Sequence, residues 1–419
     1  MKKLSIIFTA LCIVAISGCN KKETTCCHGG KFGEPSEAII TLSSPVTRAL
    51  SGTESGVGRE NDITSLEFYI FDNTGNYLDP EVGTGNGYLK IDNPANLNPK
   101  IRVSAGVDKK IVVVANMNLG APDATMDTYD ELMSKLSSGE FKATSGQSDH
   151  NSRIIPTAGL EMSGFTTTAT VIANKTDNVI SITISRLVSK IETPSFDADI
   201  SVALTQEQIE EVWGKGVAAT DATFTFKAYA IINGVTKSTV SFTGRADGNY
   251  KAPMVATWDS WVGTRTHLNS TFDGGGNYTN NYSGKQSGEW FLDGTETENG
   301  HRVYAYENKP TDDTYNFIDG YTPESVYACI IKGELTATIS DVPVTEIRYW
   351  RVNLIASDTY HMMRNCVYKV AISKITTPGY KTPKEAEEQE IIVPKSGETA
   401  ADFTITVADW DINSYSTQM

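Results

Sequence analysis

Histidine is scarce in this chain of 419 residues: the five present are scattered and form no HExxH pair. That excludes the usual zinc-hydrolase arrangement of two imidazoles on one helix face. No GxSxG elbow raises a nucleophilic serine. Gly274-Gly275-Gly276 lacks the Lys-Ser/Thr that a phosphate-cradling loop places next, and reads as a loop tip. Positive charge is also short, with 36 Lys and Arg against 51 Asp and Glu and a net charge of −15. A nucleic-acid binder needs clustered cations, so DNA and RNA are excluded as partners. Hydrophobic residues make up 39%, too few for a multispanning membrane protein. The oxygens of Asp72 to Asn76 lack the bidentate Glu of an EF-hand loop and read as a hairpin turn. These shortages leave catalysis unsupported and call for no cofactor or metal.

Cysteine is sparse too, six in all. Two belong to the N-terminus, where MKKLSIIFTALCIVAISGC has a basic start, an apolar core from Leu4 to Ile16 and then small residues. That is an export signal over residues 1–18, too short and wrongly flanked to span a membrane. Its end, Ile16-Ser17-Gly18-Cys19, has the form of a bacterial lipobox, in which Cys19 takes the lipid and becomes the mature N-terminus; the alternative is an ordinary signal with an incidental Cys. Acyl chains at Cys19 tether a protein to a membrane, and the absence of Asp beside Cys19 points to the outer membrane and the cell surface. Cys26-Cys27-His28 cannot share one tetrahedral site and has no second ligand pair, so it reads as tether. Cys329 and Cys366 each sit in a β-like run, as buried thiols rather than a bridge.

What is abundant is short alternating strands divided by turn residues. EAIITL, ITSLEFYIF, HRVYAYEN, ESVYACIIKGELTAT, EIRYWRVNL and NCVYKVAISKI read as strands, and NVISITISRLVSKIETPS as a long strand or strand pair ending at Pro194. KKIVVVANMN is a near-continuous apolar run, expected of a strand covered on both faces. Two capping boxes predict helices, one at Thr128/Glu131 and one at Thr205/Gln208, the second ending at Gly214. Lys381 to Glu398 is charged and reads as a linker. Two mainly antiparallel β-sandwich domains follow, residues 49–195 and 196–380, preceded by a tether and first strand at 19–48 and followed by a linker and last strand at 381–419.

Two features invite function. Trp258, Trp261, Tyr278, Tyr282 and Trp290 fall in one Gly- and Asn-rich excursion, either as candidate glycan contacts or as rings packed on their own domain. The chain ends form the other. After the first strand, with Ala38, Ile40 and Leu42 on one face, comes Thr47-Arg48-Ala49, either a site for proteolysis or a plain loop; Arg59 is an alternative cut position. The last strand hangs from a linker long enough to reach a neighbour at ~3.3 Å per residue. Its Phe403, Ile405 and Val407 share a face, and Trp410 and Ile412 join them only through a bulge near Ala408 and Asp409.

In these motifs the chain resembles the fimbrillins, or type V pilins, and within them the minor-fimbrium shaft branch. The resemblance rests on the lipobox at Cys19, Thr47-Arg48-Ala49, KKIVVVAN (109–116), ISRLVSKIE (184–192), AYEN (305–308), MRNCVYKVAISKI (363–375) and FTITVADWDINSY (403–415). It implies an all-β fold, two antiparallel β-sandwich domains of transthyretin-like or Greek-key type with exchangeable terminal strands. It further implies a lipidated precursor cut after Arg48 by an arginine-specific protease, so that the strand carrying Ala38, Ile40 and Leu42 departs. The C-terminal strand of another copy, or of a related subunit, then fills the groove with Phe403, Ile405, Val407, Trp410 and Ile412. The chain departs from the family in its short, acidic linker. The expected function is a non-enzymatic subunit of a surface fimbrium supporting adhesion to host or bacterial surfaces. The alternative is an anchored outer-membrane glycan-binding lipoprotein using the 258–290 excursion.

Overall fold

The computed structural model describes residues 32–43, 53–55, 58–137, 159–218, 220–232, 240, 292–293, 303–306, 327–354, 364–387 and 402–411. In chain order the strands are β1 (Pro35–Ser43), β2 (Thr53–Ser55), β3 (Ser65–Phe71), β4 (Tyr88–Asp92), β5 (Lys100–Ser104), β6 (Gly106–Ala115), β7 (Met162–Val171), β8 (Asn178–Thr183) and β9 (Ser185–Arg186). There follow β10 (Val188–Ile191), β11 (Ser195–Val202), β12 (Thr220–Ile232), β13 (Leu292–Asp293), β14 (Val303–Tyr306), β15 (Ala328–Ile339), β16 (Val342–Asn353), β17 (Cys366–Ile375) and β18 (Asp402–Asp411). The helices are short: α1 (Tyr129–Ser137), α2 (Gln206–Trp213) and α3 (Pro383–Glu387).

The first sandwich packs a three-stranded sheet, β5-β1-β8, on a five-stranded one, β4-β3-β6-β7-β9. Strand alternation sends Leu66, Phe68 and Ile70 of β3, with Ile111 and Val113 of β6, toward the smaller sheet. The intervening residues Tyr69, Phe71, Val112 and Val114 point the other way, into a cluster with Leu132 and Leu136 of α1 and with Tyr304 and Val367 of the second half. The apolar run of β6 is thus buried on both sides, as its composition requires. Asp72 folds the turn after β3, its Oδ1 accepting from the backbone N–H of Gly75 (2.7 Å) and Asn76 (3.1 Å).

The second sandwich packs β14-β10-β17-β18-β2, with β11 also alongside β17, on β13-β12-β15-β16. Ile331, Leu335, Trp350, Val352, Tyr368 and Val370 meet in its core. Cys329 and Cys366 lie in the same core as buried thiols, not a disulfide, and burial pushes the Cys329 thiol far above its usual range. β15 and β16 are joined through Ser340 and Asp341, both at positive φ (48° and 66°), the conformation of a two-residue turn that matches strand twist.

Both expected capping boxes are present. Thr128 and Glu131 bond each other's backbone N–H at 3.2 Å, and Thr205 with Gln208 does the same at the start of α2. Two expectations need correction. The run from Asn178 to Ile191 is neither one strand nor a pair: β8, β9 and β10 belong to three different sheets, so the chain passes from one sandwich to the other at Leu187, before the composition change at Phe196. A periodic apolar run cannot signal this, because every residue from Ile184 to Ile191 is buried. The charged segment after Lys381 begins as a helical turn rather than a plain linker. Thr382 and Glu385 form a further capping box around Pro383 (3.1 and 3.2 Å), and Ala386 is fully buried. The pairing is mainly antiparallel, as expected, with parallel pairs at β1–β8, β10–β17, β11–β17 and β18–β2.

Because both thiols are enclosed, iodoacetamide labelling mapped by mass spectrometry is expected to leave Cys329 and Cys366 unmodified in the folded protein and to alkylate both in guanidinium. Labelling of either one under native conditions would contradict the core described.

Candidate functional site

β1 is the middle strand of its sheet. It runs antiparallel to β5, from Pro35 opposite Ser104 to Ile39 opposite Lys100, and parallel to β8, from Ala38 beside Asn178 to Ser43 beside Thr183. Its inward residues Ala38 (0%), Ile40 (0%) and Leu42 (3%) are buried between the two sheets, which is where the alternation places them. Burying Ile40 and Leu42 contributes about 3–6 kcal/mol gross. Neighbouring strands lie ~4.8 Å apart, so without β1 the edges of β5 and β8 face each other across roughly twice that distance, too far to bond directly.

A polar clasp fixes the start of β1. The Asn178 side chain, 3% exposed, donates from its amide to Ser36 Oγ (3.3 Å) and Glu37 O (2.8 Å), and also to Ile172 O (3.2 Å) and Lys175 O (3.1 Å). The Ser36 hydroxyl donates to the same two carbonyls, at 2.9 and 2.7 Å. On the far side of β5, buried Lys109 pairs with Asp79 at 2.9 Å and lies 4.8 Å from the ring centre of Phe32.

The chain leaves β1 at Ser43, in the first sandwich, and reappears as β2 in a sheet of the second. Arg48 and Ala49 fall between them, outside the described residues, as does Cys19. Arg59 lies in a 3-10 turn, Gly58–Asn61, whose Glu60 (0%) and Asn61 (8%) are buried. Arg59, the alternative cut position, therefore lies in a helical turn and not in an extended segment.

Glu60 is the centre of a charged cluster that the motifs did not reveal. It accepts from Lys190 Nζ at 3.1 Å and from the Tyr304 hydroxyl at 2.8 Å. Arg186, fully buried, donates to Glu60 O (3.2 Å), Asn61 Oδ1 (2.6 Å) and Asn365 Oδ1 (3.2 Å). Arg186 and Lys190 belong to ISRLVSKIE, Tyr304 precedes AYEN and Asn365 lies in MRNCVYKVAISKI. These separate stretches meet on the 3-10 turn Gly58–Asn61. No local signal pairs residue 60 with 190, 304 or 365; Arg186, Lys190 and Asn365 inside β-like motifs were the only hint.

The terminal strand pairs with its own chain. β18 runs antiparallel to β17, from Asp402 opposite Lys374 to Asp409 opposite Cys366, and parallel to β2 through Asp409–Thr53, Trp410–Glu54 and Asp411–Ser55. The bulge expected near Ala408 and Asp409 is absent from the β17 ladder, which runs in register there. The shift falls instead between Ile372 and Lys374. Ile372 and Ile375 both face the core at an odd spacing, and an inserted Ser373 is what allows it. The backbone places Phe403, Ile405, Val407 and Trp410 in β18, while Ile412 lies outside the described residues, as do Trp258, Trp261, Tyr278, Tyr282 and Trp290.

Residues 40–206 match the family model described as major fimbrial subunit protein (FimA). Residues 352–416 match the one described as major fimbrial subunit protein type IV, fimbrillin, C-terminal. Together they span more than half of the chain. No curated protein sequence matches. Among solved structures the chain is similar to a fimbrilin from Porphyromonas gingivalis W83, with a TM-score of 0.50, 16% identity, and coverage of 90% of this chain and 98% of that one. It is also similar to the tip fimbrial protein Mfa3 from Porphyromonas gingivalis, with a TM-score of 0.40, 9% identity, and coverage of 90% and 100%. At such identities the first likeness speaks for the fold alone.

Two outcomes follow from the buried residues. Ile40→Ala is expected to lower the stability of the intact chain by about 2–5 kcal/mol, read from urea unfolding. Glu60→Ala removes the nearer carboxylate from buried Lys190, leaving Glu192 at 3.8 Å, and should cost about 3 kcal/mol, a loss that Glu60→Ala with Lys190→Met largely recovers. If the single variant unfolds at the wild-type midpoint, the cluster does not bind the two halves.

Proposed function

The chain belongs to the fimbrillin family, structural subunits of cell-surface fimbriae rather than enzymes, and from that membership we propose that it assembles by exchange of its terminal strands. On this reading it is exported as a precursor lipidated at Cys19 and held at the outer membrane. Its own first strand occupies the slot between β5 and β8. An arginine-specific protease cuts after Arg48, and β1 leaves with the tether. The C-terminal strand of another copy, with Phe403, Ile405 and Val407 on one face, takes the vacated place. Trp410 and Ile412 extend the contact. Head-to-tail joints of this kind do not close on themselves and so build a filament, whose display at the surface serves adhesion.

The observation that carries the reading is the position of β1. It is a central strand, contributing buried side chains and two backbone ladders, yet it is joined to the rest of the chain only through the segment holding Arg48. One peptide cut makes it separable without breaking any other covalent link. The retained chain stays held, because Glu60 and Asn61, about a dozen residues beyond the cut, are fastened to Lys190, Arg186 and Tyr304. The empty slot then exposes an apolar floor and two unsatisfied edges, for which an extended strand is the matching occupant. The donor must first leave β17 and β2, exchanging one set of ladder bonds for another. The net driving force therefore comes from filling the slot.

Treatment of the purified precursor with a trypsin-like protease is expected to give a new N-terminus at Ala49 and a ladder of oligomers on a non-denaturing gel. The Arg48→Ala variant should remain intact and monomeric, and deletion of residues 402–419 should allow cutting but give no ladder. Ladders from the deletion variant would overturn the assignment of the C-terminal strand as donor.

A further inference from the structure

The second sandwich contains buried N–H groups with no hydrogen-bond partner among the described residues: Nε and Nη1 of Arg348, and Nε1 of Trp213. All three are donors, so what they lack is an acceptor. Arg348 is the more demanding, because it carries a charge. It is 1% exposed and sits in β16 opposite Gly333 of β15. Strand alternation puts it on the same face as Trp350, which belongs to the core between the two sheets. Glu346, the next residue on that face, meets neither nitrogen. Glu334, beside Gly333, is bonded to Lys227 at 2.9 Å instead.

An arginine cannot shed its proton to escape burial, and a cation enclosed without a countercharge is strongly unfavourable. Water can accept from the two nitrogens, but it leaves the charge unbalanced. We propose that Arg348 holds one small monovalent anion, of the size of chloride, inside the second sandwich. One guanidinium balances one negative charge. Its enclosure rules out a side chain reaching in from a second copy. The neighbouring aromatic packing is compatible with an anion. The Phe224 ring fills the place that a side chain on Gly333 would take, and it does so through Cε2 and Cζ, atoms of its rim. The rim of an aromatic ring carries the positive side of its quadrupole. Phe224 also meets Trp350 edge-on, with ring centres 5.2 Å apart, which favours a compact ion over a bulky one. The site lies in the sheet of β12, β15 and β16, away from β1, so the inference stands apart from strand exchange.

The test is urea unfolding of the full-length chain in sodium chloride and in sodium gluconate of equal ionic strength. For one site present only in the folded state, each tenfold rise in chloride above the dissociation constant raises the folded-to-unfolded ratio about tenfold. The wild-type chain is expected to show this gain in chloride over gluconate, and Arg348→Met is expected to lose it. General salt effects act on the whole surface and are common to both proteins, so the difference between them isolates the site. An equal response to chloride in both overturns the proposal. Crystals of the unaltered chain grown in sodium bromide give a second measurement that does not depend on the variant folding. An anomalous peak at hydrogen-bond distance from Arg348 Nε or Nη1 is expected. Bromide on surface lysines alone, an adventitious ion only, overturns the assignment, as does a water at Arg348 with no anomalous signal.

Discussion

A three-stranded sheet whose middle strand comes from the start of the chain is the constraint on which the rest of this molecule depends. β5 and β8 touch β1 and not each other, and the face of β3 and β6 beneath them is mainly apolar, with buried Lys109 of β6 bonded to Ser104 of β5. The first sandwich is therefore complete only while something strand-shaped sits at that position. Chemistry at the site is limited to backbone hydrogen bonds, apolar contact and the Ser36–Asn178 clasp at one end. The specificity it can express is one of side-chain size, direction and register.

The second constraint is the polar cluster around Glu60. Burying several charges is costly unless each is paired, and here the pairing joins sequence-distant pieces: the 3-10 turn after the first loop, the crossing segment with Arg186 and Lys190, Tyr304 of β14 and Asn365 before β17. An apolar contact could slide. A carboxylate meeting an ammonium and a phenol in the interior has one favourable arrangement, and it sets how the two sandwiches meet.

Much of this was legible beforehand where the determinants are local. β6 was recognisable from its unbroken apolar run, and the starts of α1 and α2 from their capping boxes, because the groups that satisfy one another lie within three residues. Strands β15, β16 and β17 announced themselves by alternation. What could not be read were decisions made by distant partners. Whether Ile184 to Ile191 forms one strand or touches three sheets depends on which edges are open nearby, and fully buried residues carry no alternation to tell. The capping box at Thr382 was local yet hidden, since the surrounding charges and Pro383 suggested an unstructured linker. The register of β18 likewise depends on the inserted Ser373 in its partner β17, not on the out-of-phase Trp410. The anchor, the cut and the aromatic excursion rest on segments beyond those described, and their support is the sequence itself.

The passage at Leu187 has a mechanical meaning. If subunits join by the proposed strand exchange, tension enters one copy at the sheet of β1 and leaves through the segment beyond β17, whose last strand has gone to the next copy. Between these points the covalent path is the short crossing formed by β8, β9 and β10, each stitched into a different sheet. Stretching that crossing requires shearing three sets of backbone ladders together instead of peeling them one residue at a time. A subunit wired this way is expected to resist pull through ladders in three sheets at once.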